Sequence, residues 1–209
     1  CAASIGITQG PGCGKYLAQW MVYGQTEINV REMDPRRYGD WACGKYALEK
    51  SIDEYEHMYA THYPGEFRDA GRPVRPTPIY EKLKTYGAVF AETFGWERAK
   101  WFDSSGHGEH YSFRRNNSFQ SVAKECMAVR ERVGLLELTC FAKYEIRGSD
   151  AETFLQRICA NRIPKRKGGV ALVHMLTELG GIECEATITR IEENKYYALS
   201  GAIAETHDF

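Results

Sequence analysis

Glu183, Glu185, Thr187 and Thr189 stand at every second position of one stretch, and Ile182, Cys184, Ala186 and Ile188 fill the places between them. Successive side chains of an extended strand point to opposite faces, so this alternation sets carboxylates and hydroxyls on one surface and apolar groups on the other. A carboxylate flanked by hydroxyls is equipped to accept a proton, to orient a polar ligand edge and to stabilise a developing positive charge. The same alternation also describes an ordinary antiparallel strand with one wet face.

A second group with chemical potential lies near the start. Gln9-Gly10-Pro11-Gly12-Cys13-Gly14-Lys15 follows the small and apolar run 2–8 and precedes Tyr16, Leu17, Trp20 and Met21, which recur at helical spacing up to Gly24. The order reads as strand, glycine turn and helix, an arrangement that aims free N–H groups and the positive end of the helix dipole at an anionic ligand. A Walker phosphate loop is excluded, because Gln9 and Tyr16 stand where Gly and Ser or Thr are required, and G-x-G-x-x-G fails at Leu17. A purely structural turn fits these residues equally well. His107-Gly108-Glu109-His110 brings two imidazoles near a carboxylate. In a Gly/Ser loop with no third, distant ligand such residues are expected to be solvated, and no metal is expected.

These groups need elements to hold them. A helix is expected over 42–60, with Leu48, Ile52, Tyr55 and Tyr59 at spacings of three and four. Thr77 as N-cap and Pro78 as first helical residue announce another over 79–86, ended by Gly87. The aromatic stripe Tyr46, Tyr55, Tyr59, Tyr80 and Tyr86 reads as core packing. The dense run 94–102 reads as a packing corner, with Arg98 stacked on a Trp face. A helix with Val122, Cys126, Val129 and Val133 is expected from Ser118 to Gly134, then a strand over 141–146. Ser149 to Glu152 fits a capping box for a helix burying Phe154, Leu155, Ile158 and Cys159. Strands over 170–176, 182–191 and 196–203, with turns at 177–181 and 192–195, complete an antiparallel meander and an α+β organisation.

Composition narrows the function classes. The 209 residues allow one or two domains, and 43% hydrophobic residues suffice for a core. With 27 basic against 28 acidic residues the net charge is −1, which supplies no field for nucleic acid and no acidic block for disorder. Small molecules are the expected partners. Seven scattered cysteines without a C-x-x-C pair suit neither a disulfide framework nor a zinc site and point to a reducing compartment. No apolar run approaches the roughly 20 residues that cross a bilayer, and no signal peptide is visible. Cys1 in place of an initiator Met, and a stop at Phe209 directly after an apolar stretch, read as the ends of an internal piece.

Four stretches carry a resemblance. Residues 6–21 with Asp34-Pro35-Arg36-Arg37-Tyr38 resemble the C-terminal end of the flavin domain of the dimethylglycine and sarcosine dehydrogenase family, and 72–80 resembles its middle domain. Residues 94–102 resemble its W-E-R-x-x-W-F signature, and 175–190 resembles the glycine-cleavage aminomethyltransferase fold. The resemblance implies a mixed α+β chain: the tail of an FAD-binding α/β domain over 1–36, a connector over 37–92, and the first part of an aminomethyltransferase-like domain over 93–209. It implies FAD contacts at Ile7, Thr8, Gln9 and Gly10, placing N–H groups near the flavin edge that gains negative charge on reduction. It implies tetrahydrofolate contacts at Leu172, Glu185, Thr187 and Leu199, with Glu185 catalytic at a place where the family usually carries Asp.

The implied parent oxidises an N-methylated glycine, dimethylglycine or sarcosine, with FAD and passes the one-carbon unit to tetrahydrofolate. An electron-acceptor protein is a further implied partner, and nucleic acid and membrane are not. The implied setting is the cytoplasm, or the mitochondrial matrix in a eukaryote. Two alternatives are a folate-dependent aminomethyltransferase of glycine-cleavage type and a non-catalytic folate-binding module.

Overall fold

The computed structural model describes residues 6–209. In chain order its elements are helix α1 (Gly6–Tyr23), α2 (Gly44–Glu56), α3 (Tyr80–Thr85), strands β1 (Ala88–Thr93) and β2 (Trp96–Phe102), α4 (Phe119–Glu131), β3 (Ala142–Arg147), α5 (Ala151–Ile158), and strands β4 (Val170–Leu176), β5 (Ile182–Glu192) and β6 (Lys195–Ser200). They divide into two compact units, one of Gly39–Cys140 and one that joins Cys1–Tyr38 to Phe141–Phe209.

In the unit Gly39–Cys140, β1 and β2 form an antiparallel hairpin. Gly95 turns it at φ 78°, and a Cβ there would meet the Trp41 ring at 2.6 Å, so glycine is required for both conformation and space. Strand alternation buries Glu97 and Trp101, at 2% exposure each, and turns Arg98 outward. Buried Glu97 is answered by Arg72, whose Nε and Nη2 reach its two carboxylate oxygens at 2.9 and 2.7 Å. The stacking expected of Arg98 belongs instead to Arg75, 4.0 Å from the Trp96 ring and 5.5 Å from that of Trp41. Backbone bonds explain the exchange: Arg75 N donates to Gly95 O and Glu97 N to Arg75 O, both at 3.0 Å, which lays Arg75 along the hairpin end.

Two further expectations for this unit are corrected. Thr77 does not cap α3: Ile79 holds the cap position without a side-chain bond, while the buried Thr77 hydroxyl lacks a partner and its carbonyl accepts from Tyr80 N at 3.0 Å. A turn through Pro78 therefore precedes the helix and moves its start. The aromatic stripe is not a core: α2 buries no residue, and Tyr55, Tyr59 and Tyr86 are exposed. Only Tyr46, edge-on to Trp41 at 5.4 Å, and Tyr80, 4.3 Å from Phe90, pack as expected.

The other unit is built on a four-stranded antiparallel sheet in the order β3-β6-β5-β4. Alternation along β5 sends Cys184, Ala186 and Ile188 to one face, where they join Val173, Tyr196, Ala198 and, from α5, Ala151 and Leu155 in the core. Each large side chain buried here contributes roughly 1.5–3 kcal/mol. Gly180, at φ 80°, shapes the β4–β5 turn, in which Gly180 N donates to Thr177 O at 2.9 Å and Thr177 N to Gly181 O at 2.8 Å.

Helix α5 forms without the expected capping box. Ser149 Oγ bonds to Asp150 Oδ1, and Glu152 turns to Arg190 Nη1 at 3.0 Å and the Tyr196 hydroxyl at 3.4 Å. Phe154, expected to be buried, is exposed, and Ala151 takes its place beside Leu155. The strand and glycine turn expected at the start are likewise replaced: α1 runs unbroken from Gly6 through Pro11 to Tyr23, and residues 2–5 of that strand lie outside the described residues. A strand needs a neighbour to take its N–H and C=O groups, whereas a helix satisfies them within itself. Among the described residues no strand lies beside 6–8.

Candidate functional site

The antiparallel register gathers the strand residues singled out from sequence. Leu172 on β4 stands opposite Thr187 on β5, and Thr187 stands opposite Leu199 on β6, so the three form one row across the sheet. Lys143 on β3 extends the row beyond Leu199. The face is open, with Leu172 exposed and Thr187 and Leu199 half-buried. Two positions from Thr187 along β5, Glu185 adds a carboxylate to the same face. Its partner is His174 of β4, directly across from it, with Nε2 2.9 Å from Glu185 Oε2. Apolar surface, a hydroxyl and a carboxylate thus lie side by side on a sheet whose other face is core, a surface that can take a flat, polar-edged ring and hold a charge beside it.

Ile7, Thr8, Gln9 and Gly10 stand on a different element, the first turns of α1, with the first three exposed and Gly10 half-buried. The structure does not build the strand-to-helix turn that was to present them. The loop with His107 and His110 is organised around Asp103, which accepts from Ser105 N and Oγ and from Gly108 N at 2.5–2.7 Å. These bonds, that of the Ser105 hydroxyl foremost, hold the Asp103 carboxyl down at about 2. No group of three or more His, Cys, Asp or Glu suited to a metal ion occurs among the described residues.

A polar cluster around Glu183, two positions from Glu185 along β5, was not foreseen. Arg31 pairs with Asp208, and Arg36 Nη2 lies 2.5 Å from Asp34 Oδ2. His207 sits among three carboxylates, 3.1 Å from Asp208, 3.6 Å from Glu183 and 3.7 Å from Asp34. Hydrogen bonds from Arg36 hold the buried Asp34 carboxyl below its ordinary range. Asp34 also caps the short turn Pro35–Arg37 through Arg36 N at 2.9 Å, a signal legible in the order Asp-Pro-Arg. The cluster borders a cavity of about 760 Å³ lined also by Trp20, Leu179 and Ile182. Beneath the open face, Cys184 donates to Asp208 Oδ2 at 3.2 Å, and burial pushes its thiol up to about 12, which removes it as a nucleophile near neutral pH.

The family model of the GCVT N-terminal domain matches residues 79–209, which include the whole β3–β6 sheet. The chain belongs to this family. Ahead of the GCVT part, residues 23–77 match the FAD dependent oxidoreductase central domain. Dimethylglycine dehydrogenase of Rattus norvegicus, a mitochondrial protein, is 36% identical over 97% of this chain and 24% of its own length. Human mitochondrial sarcosine dehydrogenase is 27% identical over 97% of this chain and 27% of its own length. The chain thus spans about a quarter of the curated relatives it matches. The solved glycine cleavage system aminomethyltransferase T from Bartonella henselae shares the fold, with a TM-score of 0.53 and 21% identity over 65% of this chain and 33% of that one. The mixed α+β class, a connector followed by the start of an aminomethyltransferase-like fold, is as the residues led one to expect.

Proposed function

We propose that this GCVT-family chain is a segment of a flavin- and folate-dependent demethylase that oxidises an N-methylated glycine and passes the one-carbon unit to tetrahydrofolate. The observation that carries the reading is the Leu172–Thr187–Leu199 row with Glu185 beside it, on the open sheet face of a domain preceded by a flavoenzyme central domain. Leu172 and Leu199 would support the flat ring of the folate, Thr187 would orient its polar edge, and Glu185 would accept a proton and stabilise positive charge on the one-carbon adduct. The domains are proposed as 1–36, 37–92 and 93–209.

FAD, when bound, supplies a hydride acceptor. Ile7, Thr8, Gln9 and Gly10 are proposed as its contacts in this chain. The reading is supported by the space where, among the described residues, a Cβ would meet no atom within 4 Å at Gly12 and Gly14, which lets a ring edge approach the backbone. An electron-acceptor protein is the proposed redox partner, and no described helix is long and apolar enough to cross a membrane. The mitochondrial relative supports the matrix as the setting in a eukaryote, with the cytoplasm the bacterial counterpart.

The full-length polypeptide that carries this segment tests the proposal. Its flavin should bleach on mixing with sarcosine or dimethylglycine, and methylene-tetrahydrofolate should accumulate when tetrahydrofolate is present. A flavin that stays oxidised with every N-methyl amine would sink the oxidation claim. Glu185→Gln should lower the yield of methylene-tetrahydrofolate per amine oxidised by roughly 100-fold, the scale of a lost proton acceptor.

A further inference from the structure

We infer that His174 is a positioning residue that fixes the Glu185 carboxylate over the sheet face. The inference rests on the folate reading of that face. A half-exposed glutamate has three rotatable bonds and by itself samples many carboxylate positions, which is costly for a group that must meet a reacting nitrogen. Here it does not stand by itself. His174 faces it from the neighbouring strand, and with the carboxylate ionised the imidazole Nε2–H donates to Oε2 at 2.9 Å.

The backbone that carries the imidazole is held in turn by its neighbours. His174 N donates to Asn161 Oδ1 at 2.9 Å and its carbonyl accepts from Ala160 N at 2.8 Å, while a bridge between Cys159 and Met175 pins the end of α5 to β4. The adjoining Val173 is fully buried in the core, which fixes the strand from its other face. Anchored backbone, imidazole and carboxylate form a chain of support in which only the last member would touch the ligand. Glutamate is the residue that this device needs. An aspartate, one methylene shorter, would draw the oxygens back toward its own strand and away from His174.

The test uses the full-length polypeptide with FAD and tetrahydrofolate, reading the turnover of one-carbon transfer and the dissociation constant of tetrahydrofolate separately. His174→Leu should slow transfer roughly tenfold and change the dissociation constant less than about twofold, because binding area is kept while the carboxylate is loosened. His174→Gln, whose amide N–H can occupy the place of Nε2–H, should restore most of the rate. In a Glu185→Asp background, His174→Leu should cost nothing further, since the shorter carboxylate has already lost the imidazole. Equal turnover in His174→Leu and the parent, or the same loss in both backgrounds, would overturn the inference. If Glu185→Gln itself leaves transfer intact, the folate reading falls, whereas a Glu185→Gln loss beside an unaffected His174→Leu defeats the positioning role alone.

Discussion

Glu97 and Asp103 are buried carboxylates held in different ways, by a counter-charge and by hydroxyl and N–H donors, and the consequences of removing that support differ. Glu97 is buried and bidentate to Arg72. Arg72→Ala leaves that carboxylate without its counter-charge and should destabilise the protein by about 3–5 kcal/mol, measured by urea unfolding. Asp103 titrates differently in the folded and unfolded chain. Its carboxyl is held at about 2 against an ordinary 3.8, so the stabilisation is full above the unfolded value and is lost as the pH falls toward 2. Asp103→Asn should therefore flatten the acid unfolding curve between about pH 4 and 2. Thiol reactivity should also divide by residue. Cys43 and Cys126 are exposed, whereas the Cys184 thiol is pushed up to about 12, so an aromatic disulfide reagent at neutral pH should label the first two and spare Cys184 until the protein unfolds.

Secondary elements owe their places to unequal mixtures of local pattern and distant partner. The β4–β5–β6 meander was legible because a two-residue period, turn glycines and β-branched residues agree with one another. Where one local signal stood alone, it lost. The Ser149–Glu152 capping box yields to Arg190 and Tyr196, which take Glu152, and Thr77 yields to a turn through Pro78. Helical spacing in α2 marks an apolar stripe but cannot say what covers it. Truncating Leu155, fully buried where α5 meets the sheet, should cost about 2–5 kcal/mol. Two glycines separate conformation from space: Gly180→Ala meets no atom within 4 Å and should cost about 1–2 kcal/mol from positive φ alone, whereas Gly95→Ala also drives a Cβ to 2.6 Å from the Trp41 ring and should cost more. Thermal unfolding of the pair compares the two directly.

At the level of the whole molecule, membership of the GCVT family and the FAD dependent oxidoreductase match describe a chain about a quarter the length of its relatives. The chain by itself should bind neither FAD nor tetrahydrofolate tightly, and calorimetric titration with each checks this, the full-length polypeptide serving as the positive control. From sequence came the α+β class, the strand periods, the glycine turn at 177–181 and the residue types of the candidate site, because those depend on neighbours in the chain and on composition. Tertiary structure decided what depends on neighbours in space. The antiparallel register set Leu172, Thr187 and Leu199 in a row and brought His174 to Glu185. Strand alternation chose Glu97 for burial, and backbone bonds to the hairpin end brought Arg75, not Arg98, to the tryptophans. The glycine-rich start is helical from Gly6 to Tyr23, its backbone groups paired along the chain rather than across a sheet.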